Sequence, residues 1–144
     1  MIAEACPCGR EARPSKPVPY AQCCGRYVDD FEATPAPDAE SLMRSRYTAF
    51  VRERGDYLLA TWHPRTRPQS IDFEPGVRWL GLAVRSHMQI DDGHAEVEFT
   101  ARMRDATGRA TRLEERSRFL READGALWRW YYLDAVVQAD DEPA

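Results

Sequence analysis

Four cysteines fall within nineteen residues near the N-terminus, and the chain has no others. Cys6 and Cys8 stand in Cys-Pro-Cys-Gly, Cys23 and Cys24 in Cys-Cys-Gly. The segment around them is polar and rich in proline, so it cannot bury much apolar surface alone. Whatever orders it must tie the thiols together. A disulfide framework needs an oxidising compartment. The start, Met1-Ile2-Ala3-Glu4-Ala5-Cys6, has neither the basic end nor the apolar run of a signal peptide, and a bond between the adjacent Cys23 and Cys24 would be strained. A redox dithiol wants a two-residue spacer that Cys6-Pro7-Cys8 lacks. A core would not need four free thiols in so polar a stretch. One zinc ion held by Cys6, Cys8, Cys23 and Cys24 suits the donor set, because four soft thiolates are what a structural zinc takes. Gly9 and Gly25 follow the two pairs and permit tight turns, after which backbone N–H groups can support the sulfurs. Four protein ligands leave no open position, so the predicted zinc is structural, and it orders residues 1–28.

The rest of the chain divides around this knuckle. Its 144 residues, 43% hydrophobic and 31% charged, suit one ordinary core. The net charge of -4 argues against nucleic acid as a partner. No stretch is apolar enough for a membrane helix, and with no signal peptide the expected location is the cytoplasm. Residues 29–38, with Pro35 and Pro37, read as a linker. Residues 39–137 read as an α+β body and 138–144 as an acidic, frayed tail.

Asp38 is placed to cap a helix carrying Leu42, Met43, Tyr47, Phe50 and Val51 on one stripe, with Gly55 as its stop. Asp56 then caps a short helix that must end near His63, because Pro64 disfavours helical geometry before it. Four segments of period-two character follow at about 77–90, 94–104, 110–121 and 127–137. Short turns separate them, which predicts an antiparallel meander with one face covered by the helices. Alternation turns Ala95, Val97, Phe99, Ala101 and Met103 inward on the second strand. It does the same for Leu113, Glu115, Ser117 and Phe119 on the third, and Trp128, Trp130, Tyr132 and Asp134 are assigned inward on the fourth.

The cysteine segment, Cys6-Pro7-Cys8-Gly9 with Tyr20-Ala21-Gln22-Cys23-Cys24-Gly25, resembles the SEC-C motif, the metal-binding module at the end of the SecA translocase. Leu42-Met43-Arg44-Ser45-Arg46-Tyr47-Thr48-Ala49-Phe50, Asp56 to Pro64, Glu115 to Phe119 and Trp130 to Asp134 resemble the YchJ-like family of bacterial proteins. The loop between the cysteine pairs is longer than the usual SEC-C loop, through Arg13-Pro14-Ser15-Lys16-Pro17, at little entropic cost. The resemblance implies a nuclear-transport-factor-2-like (cystatin-like) cone, a curled four-stranded sheet over N-terminal helices. That fold hosts both enzymes and binding modules, so it does not decide function.

Two functions follow as expectations. In the first, the zinc knuckle docks a protein partner, as the SecA tail does, and the chain is an adaptor. In the second, the cone holds a small-molecule or lyase/isomerase-type site. Its candidate lining is Glu115, Ser117, Tyr132, Trp130 and Asp134 from the sheet, with Arg46, Tyr47, Trp62 and His63 from the helices. Glu115 beside aromatic rings would be a base and His63 its acid partner; equally, Glu115 could pair with Arg46 and fix helix to sheet. An open cone favours the second function and a filled cone the first. If Leu127, Tyr131 and Leu133 stay exposed on the outer face, they predict a homodimer through the sheet.

Overall fold

The computed structural model describes residues 4–137; the acidic tail lies outside them. The long inter-cysteine loop folds as a small hairpin, β1 (Glu11–Arg13) with β2 (Lys16–Pro17), exposed throughout. A 3-10 turn over Tyr20–Gln22 and a one-turn helix α1 (Gly25–Val28) complete the knuckle. Gly25 is required by close approach: a Cβ there would stand 2.7 Å from the Tyr20 carbonyl oxygen.

Helix α2 (Ala39–Val51) opens as its sequence predicts, with Asp38 Oδ1 accepting the Ser41 N–H at 2.7 Å. Asp38→Ala should cost about 1 kcal/mol, seen as a fall of a few degrees in Tm; an unchanged melting curve would show the cap to be redundant. The helix is buried nearly all round, including Ser45, Arg46 and Thr48. It therefore lies between two packed surfaces rather than on one. It ends before Gly55. Glu53 takes the left-handed turn (φ 55°), and Gly55 instead opens α3 (Gly55–Ala60). Asp56, expected as a cap, sits inside the first turn of α3 and pairs with Arg54, which also reaches Asp29 at 2.8 Å.

The four strands are β3 (Arg78–Asp91), β4 (His94–Arg104), β5 (Ala110–Asp124) and β6 (Leu127–Val137), antiparallel in that order. Pairing Val84 with Phe99, Phe99 with Glu115 and Phe119 with Tyr132 brings the inner residues into rows. Ala95, Val97, Phe99, Ala101, Ser117 and Phe119 are all buried. The fourth strand breaks the expected alternation. Phe119 faces Tyr132 but Arg118 faces Asp134, so Leu133 is an extra residue, a bulge. Beyond the bulge the faces exchange. Asp134 is turned to the outer side, where it pairs with Arg118, and Leu133 is buried, 6% exposed. Trp128 keeps its parity but lies past the helical cover; it is 59% exposed, with the Arg121 guanidinium over its ring.

The expected outer patch of Leu127, Tyr131 and Leu133 therefore does not form. Leu133 is buried, and the Tyr131 ring packs on His63 at 5.9 Å. The edge of β6 is also covered. Tyr132 N–H donates to the Thr61 carbonyl (2.8 Å) and His63 N–H to the Tyr132 carbonyl (2.7 Å). A covered edge offers no ladder for a second sheet at this point.

The segment read as a linker is an ordered strap. Phe31 sits edge-on to Tyr57 (6.1 Å) and beneath the Arg129 guanidinium (4.1 Å). Arg129 donates to the Phe31 and Glu32 carbonyls at 2.6 and 2.7 Å. Knuckle and body share one core, in which the four cysteines, Tyr27 and Val28 adjoin Leu42, Met43 and Tyr47.

Candidate metal centre and cone cavity

The short turns of the knuckle bring the four cysteines to one point. Their sulfurs all lie within 4.8 Å of one another, and none of the four is more than 5% exposed. Cys8 and Cys23 sulfurs are 3.6 Å apart. That is far longer than a disulfide and close to the roughly 3.8 Å between sulfurs that about 2.3 Å zinc–sulfur bonds give in a tetrahedron. The cluster could hold a metal ion. Gly9 adopts φ 78° after the first pair, as a tight turn requires. The Cys8 and Arg10 N–H groups donate to the Cys6 and Cys8 sulfurs. After the second pair the expected support goes elsewhere: Arg26, Tyr27 and Val28 N–H groups bond the Cys23 and Cys24 carbonyls, starting α1.

The thiols perturb one another strongly. Hydrogen bonds from Cys23, then Cys24 and Cys8, hold Cys6 far below an ordinary thiol, and the Cys23 bond chiefly brings Cys8 down to about 7. The later ionisations are resisted. Cys24 is pushed far up by Cys23, Cys6 and Cys8; Cys23 is drawn down by Cys24 but pushed up more by Cys6 and Cys8. The first ionisations are welcome here and all four together are not, unless a cation sits among them.

The knuckle is clamped to α2. Cys6 Sγ touches Thr48 Oγ1 at 3.6 Å, and Arg44 donates to the Cys8 carbonyl at 3.0 Å. Glu40 accepts from Arg10 (3.1 Å) and Arg44 (2.8 Å) together, which holds its carboxyl below the usual range despite burial.

The other side of α2 faces a cavity of about 290 Å³ inside the cone. Its walls are mainly apolar: Met43, Tyr47 and Phe50 from α2, Trp62 from the segment after α3, and Trp79, Phe99, Ala101, Leu113 and Tyr132 from the sheet. The polar groups are Arg46, Glu115 and Ser117. Arg46 is only 4% exposed. Its Nη1 donates to the Leu58 carbonyl (2.8 Å) and Thr61 Oγ1 (2.7 Å), and its guanidinium lies over the rings of Tyr132 (4.5 Å) and Trp62 (5.1 Å). Burial pulls its pKa down to about 10, still charged at neutral pH. A larger depression of about 400 Å³ lies between strap and α3, but Asp29 and Asp56 in its wall already pair with Arg54.

Residues 38–135 match the family described as YchJ, middle NTF2-like domain. The chain belongs to the YchJ family. Among YchJ-family relatives it is 67% identical over 129 residues to a UPF0225 protein of Polaromonas sp., covering 90% of each chain. It is 53% identical over 135 residues to a UPF0225 protein of Bordetella parapertussis, covering 93% of each. Two solved structures of SEC-C motif containing proteins superpose on it. The one from Psychrobacter arcticus has TM-score 0.77 and 31% identity over 93% of this chain and 82% of that one. The one from Rhodopseudomonas palustris has TM-score 0.74 and 30% identity over 93% and 98%. The SEC-C motif and the nuclear-transport-factor-2-like cone implied by resemblance are thus both present in this YchJ-family chain.

The cavity gathers Glu115, Ser117, Tyr132, Arg46, Tyr47 and Trp62. His63, Trp130 and Asp134 are not among its lining residues. His63 Nδ1 accepts the Arg65 N–H (3.1 Å), and its Nε2 lies 3.0 Å from Glu122 Oε1, off the line of a good hydrogen bond. Trp79 was not visible as a lining residue because β3 carries three bulges that blur its alternation. Arg129 carries no local signal of its strap contacts either: those partners lie 97 and 98 residues away.

Proposed function

We propose that this chain is a cytoplasmic small-molecule-binding protein whose ligand enters the cone, with one structural zinc on the four cysteines clamping the knuckle behind α2. The observation that carries this is the open cavity of about 290 Å³, near the lower end of small-molecule sites and lined by apolar walls with a few polar groups. Binding is favoured over acid–base turnover, because His63, the expected acid partner of Glu115, points to Glu122 and Tyr131. Ala101, buried on the cavity wall, provides the test. A thermal-shift screen of small aromatic compounds should raise the wild-type Tm by a few degrees at saturating ligand, and Ala101→Phe should erase those shifts while remaining folded. Hits that stabilise the filled variant equally well would sink the proposal.

A second reading keeps the knuckle as a protein-docking module. It is favoured by the hairpin β1–β2, exposed from Glu11 to Pro17 while the cysteines behind it are buried. Under it, the double change Arg13→Glu and Lys16→Glu should abolish partner capture without altering metal content or Tm. Capture that survives both changes would end it.

A further inference from the structure

The outer face of the sheet changes character along its length. Its side chains stand side by side across the strands in rungs, one at every second residue. Toward one end the rungs set opposite charges against each other: Glu98 lies opposite Arg116, and Glu96 opposite Arg118, which in turn lies opposite Asp134. At the other end they do not. Arg102 lies directly opposite Arg112, and on the next rung Arg104 lies directly opposite Arg78. Among the described residues, the other positions on those two rungs are Gly81 and Ala110, so four exposed arginines share them without an acid. The neighbouring rung brings Glu114, whose Oε1 is 3.7 Å from Arg112 Nε. Asp105, in the turn beyond Arg104, spends its Oδ1 on the Thr107 and Arg109 N–H groups. Like charges opposed across a ladder destabilise it. This end of the sheet therefore gathers positive charge that works against folding.

We propose that the arginine-rich end docks a short, extended, acidic segment of a partner protein with acids at alternate positions. Rungs on one face of a sheet repeat about every 6.7 Å, and an extended peptide repeats the side chains of one face at the same interval. Carboxylates two residues apart thus reach successive rungs, one at Arg102 and Arg112 and the next at Arg104 and Arg78. A guanidinium fork takes a carboxylate through two parallel hydrogen bonds, which an ammonium cannot do. Gly81 keeps the floor of the site low: a Cβ there would meet no atom within 4 Å. Leu80, where the register of β3 shifts, is 47% exposed and offers an apolar contact beside the arginines. A nucleic-acid strand fits less well. Its charge is continuous, whereas beyond these two rungs the same face carries Glu114, Glu98, Glu96 and Asp134 against Arg116 and Arg118. A base also needs an aromatic ring to stack on, and the exposed Trp128 pairs with Ala123, at the far end of β5 from Arg112.

The test is fluorescence anisotropy of labelled probes titrated with the zinc-loaded full chain at low salt. A peptide alternating aspartate with threonine and leucine should bind and should weaken as salt is added. It should bind at least about fivefold more tightly than the same residues rearranged with the aspartates adjacent. Arg102→Glu turns an opposed like pair into an opposed unlike pair, so the Tm should hold or rise while affinity falls at least about tenfold. Arg78→Glu should do the same on the other rung. Arg118→Gln, at the balanced end, should leave affinity unchanged. The proposal is overturned if the alternating peptide does not bind, if the rearranged peptide binds as tightly, if an oligothymidylate of equal charge binds more tightly, or if both glutamate variants keep the wild-type affinity. None of these readouts involves the cone, so the cavity reading stands or falls separately.

Discussion

Purified protein will carry one zinc ion per chain, and Cys8→Ser will lose it and melt at least about 10 °C lower. Cys8 is fully buried, its sulfur 3.6 Å from that of Cys23, and its carbonyl is held by Arg44 of α2. Zinc binding in small four-ligand modules supplies about 10–16 kcal/mol of apparent folding energy. Only part of that is needed here, because the knuckle also shares the body's core. Losing even about 3 kcal/mol lowers the Tm of a chain this size by roughly 10 °C. The serine variant also buries a hydroxyl among thiols, with nothing to recover the lost coordination. Metal analysis and a melting curve check both halves. Protein that purifies without metal, with four thiols open to titration and an unchanged Tm after chelation, would show the cluster to be a packed thiol core.

Arg129→Ala should cost about 2–4 kcal/mol, the largest effect expected from a single change outside the metal centre and the apolar core. The side chain is buried, stacks on Phe31 and donates to two strap carbonyls as well as to Asp124. Removing it strands two part-buried strap carbonyls and opens a hole under the strap. Lysine should recover little, because one ammonium cannot reproduce a planar fork that bonds two successive carbonyls while lying on a ring. Chemical denaturation is the measurement, with amide exchange at residues 31–34 as a local readout. A loss below about 0.5 kcal/mol, with unchanged exchange in the strap, would mean that the strap is held by Phe31 on Tyr57 alone.

Much of the body is legible because its signals are local. Asp38 caps α2 where a short acidic residue precedes an apolar stripe, and three glycine-bearing turns delimit four strands whose alternation is clean on β4. What escaped is where a local rule lost to a longer-range contact. Gly55 is the natural stop for α2, yet Glu53 accepts the left-handed conformation while Arg54 ties the corner to Asp29 and Asp56. Alternation cannot foresee the bulge at Leu133: it points Asp134 toward the cavity, whereas Asp134 stands on the opposite face with Arg118. His63 illustrates the same limit. Its place beside Pro64 marks the end of a helix, but only the pairing of residues 61–63 with β6 decides that its ring meets Tyr131 and Glu122.

The four cysteines show where the division lies. Their number, spacing and following glycines were enough by themselves to specify one cluster of four cysteines, because short turns leave the sulfurs few ways to point. The fold of the body was likewise set by patterning that repeats every two or 3.6 residues. Whether the knuckle stands apart or joins the body, and whether the cone is filled or hollow, was decided only in three dimensions. Both depend on how α2 is shared: one side takes Cys6 on Thr48, and the other turns Arg46 and Tyr47 toward a space that the sheet leaves unfilled. Such a space is a difference between the curvature of the sheet and the volumes of side chains from distant segments, and no stretch of sequence carries that difference on its own.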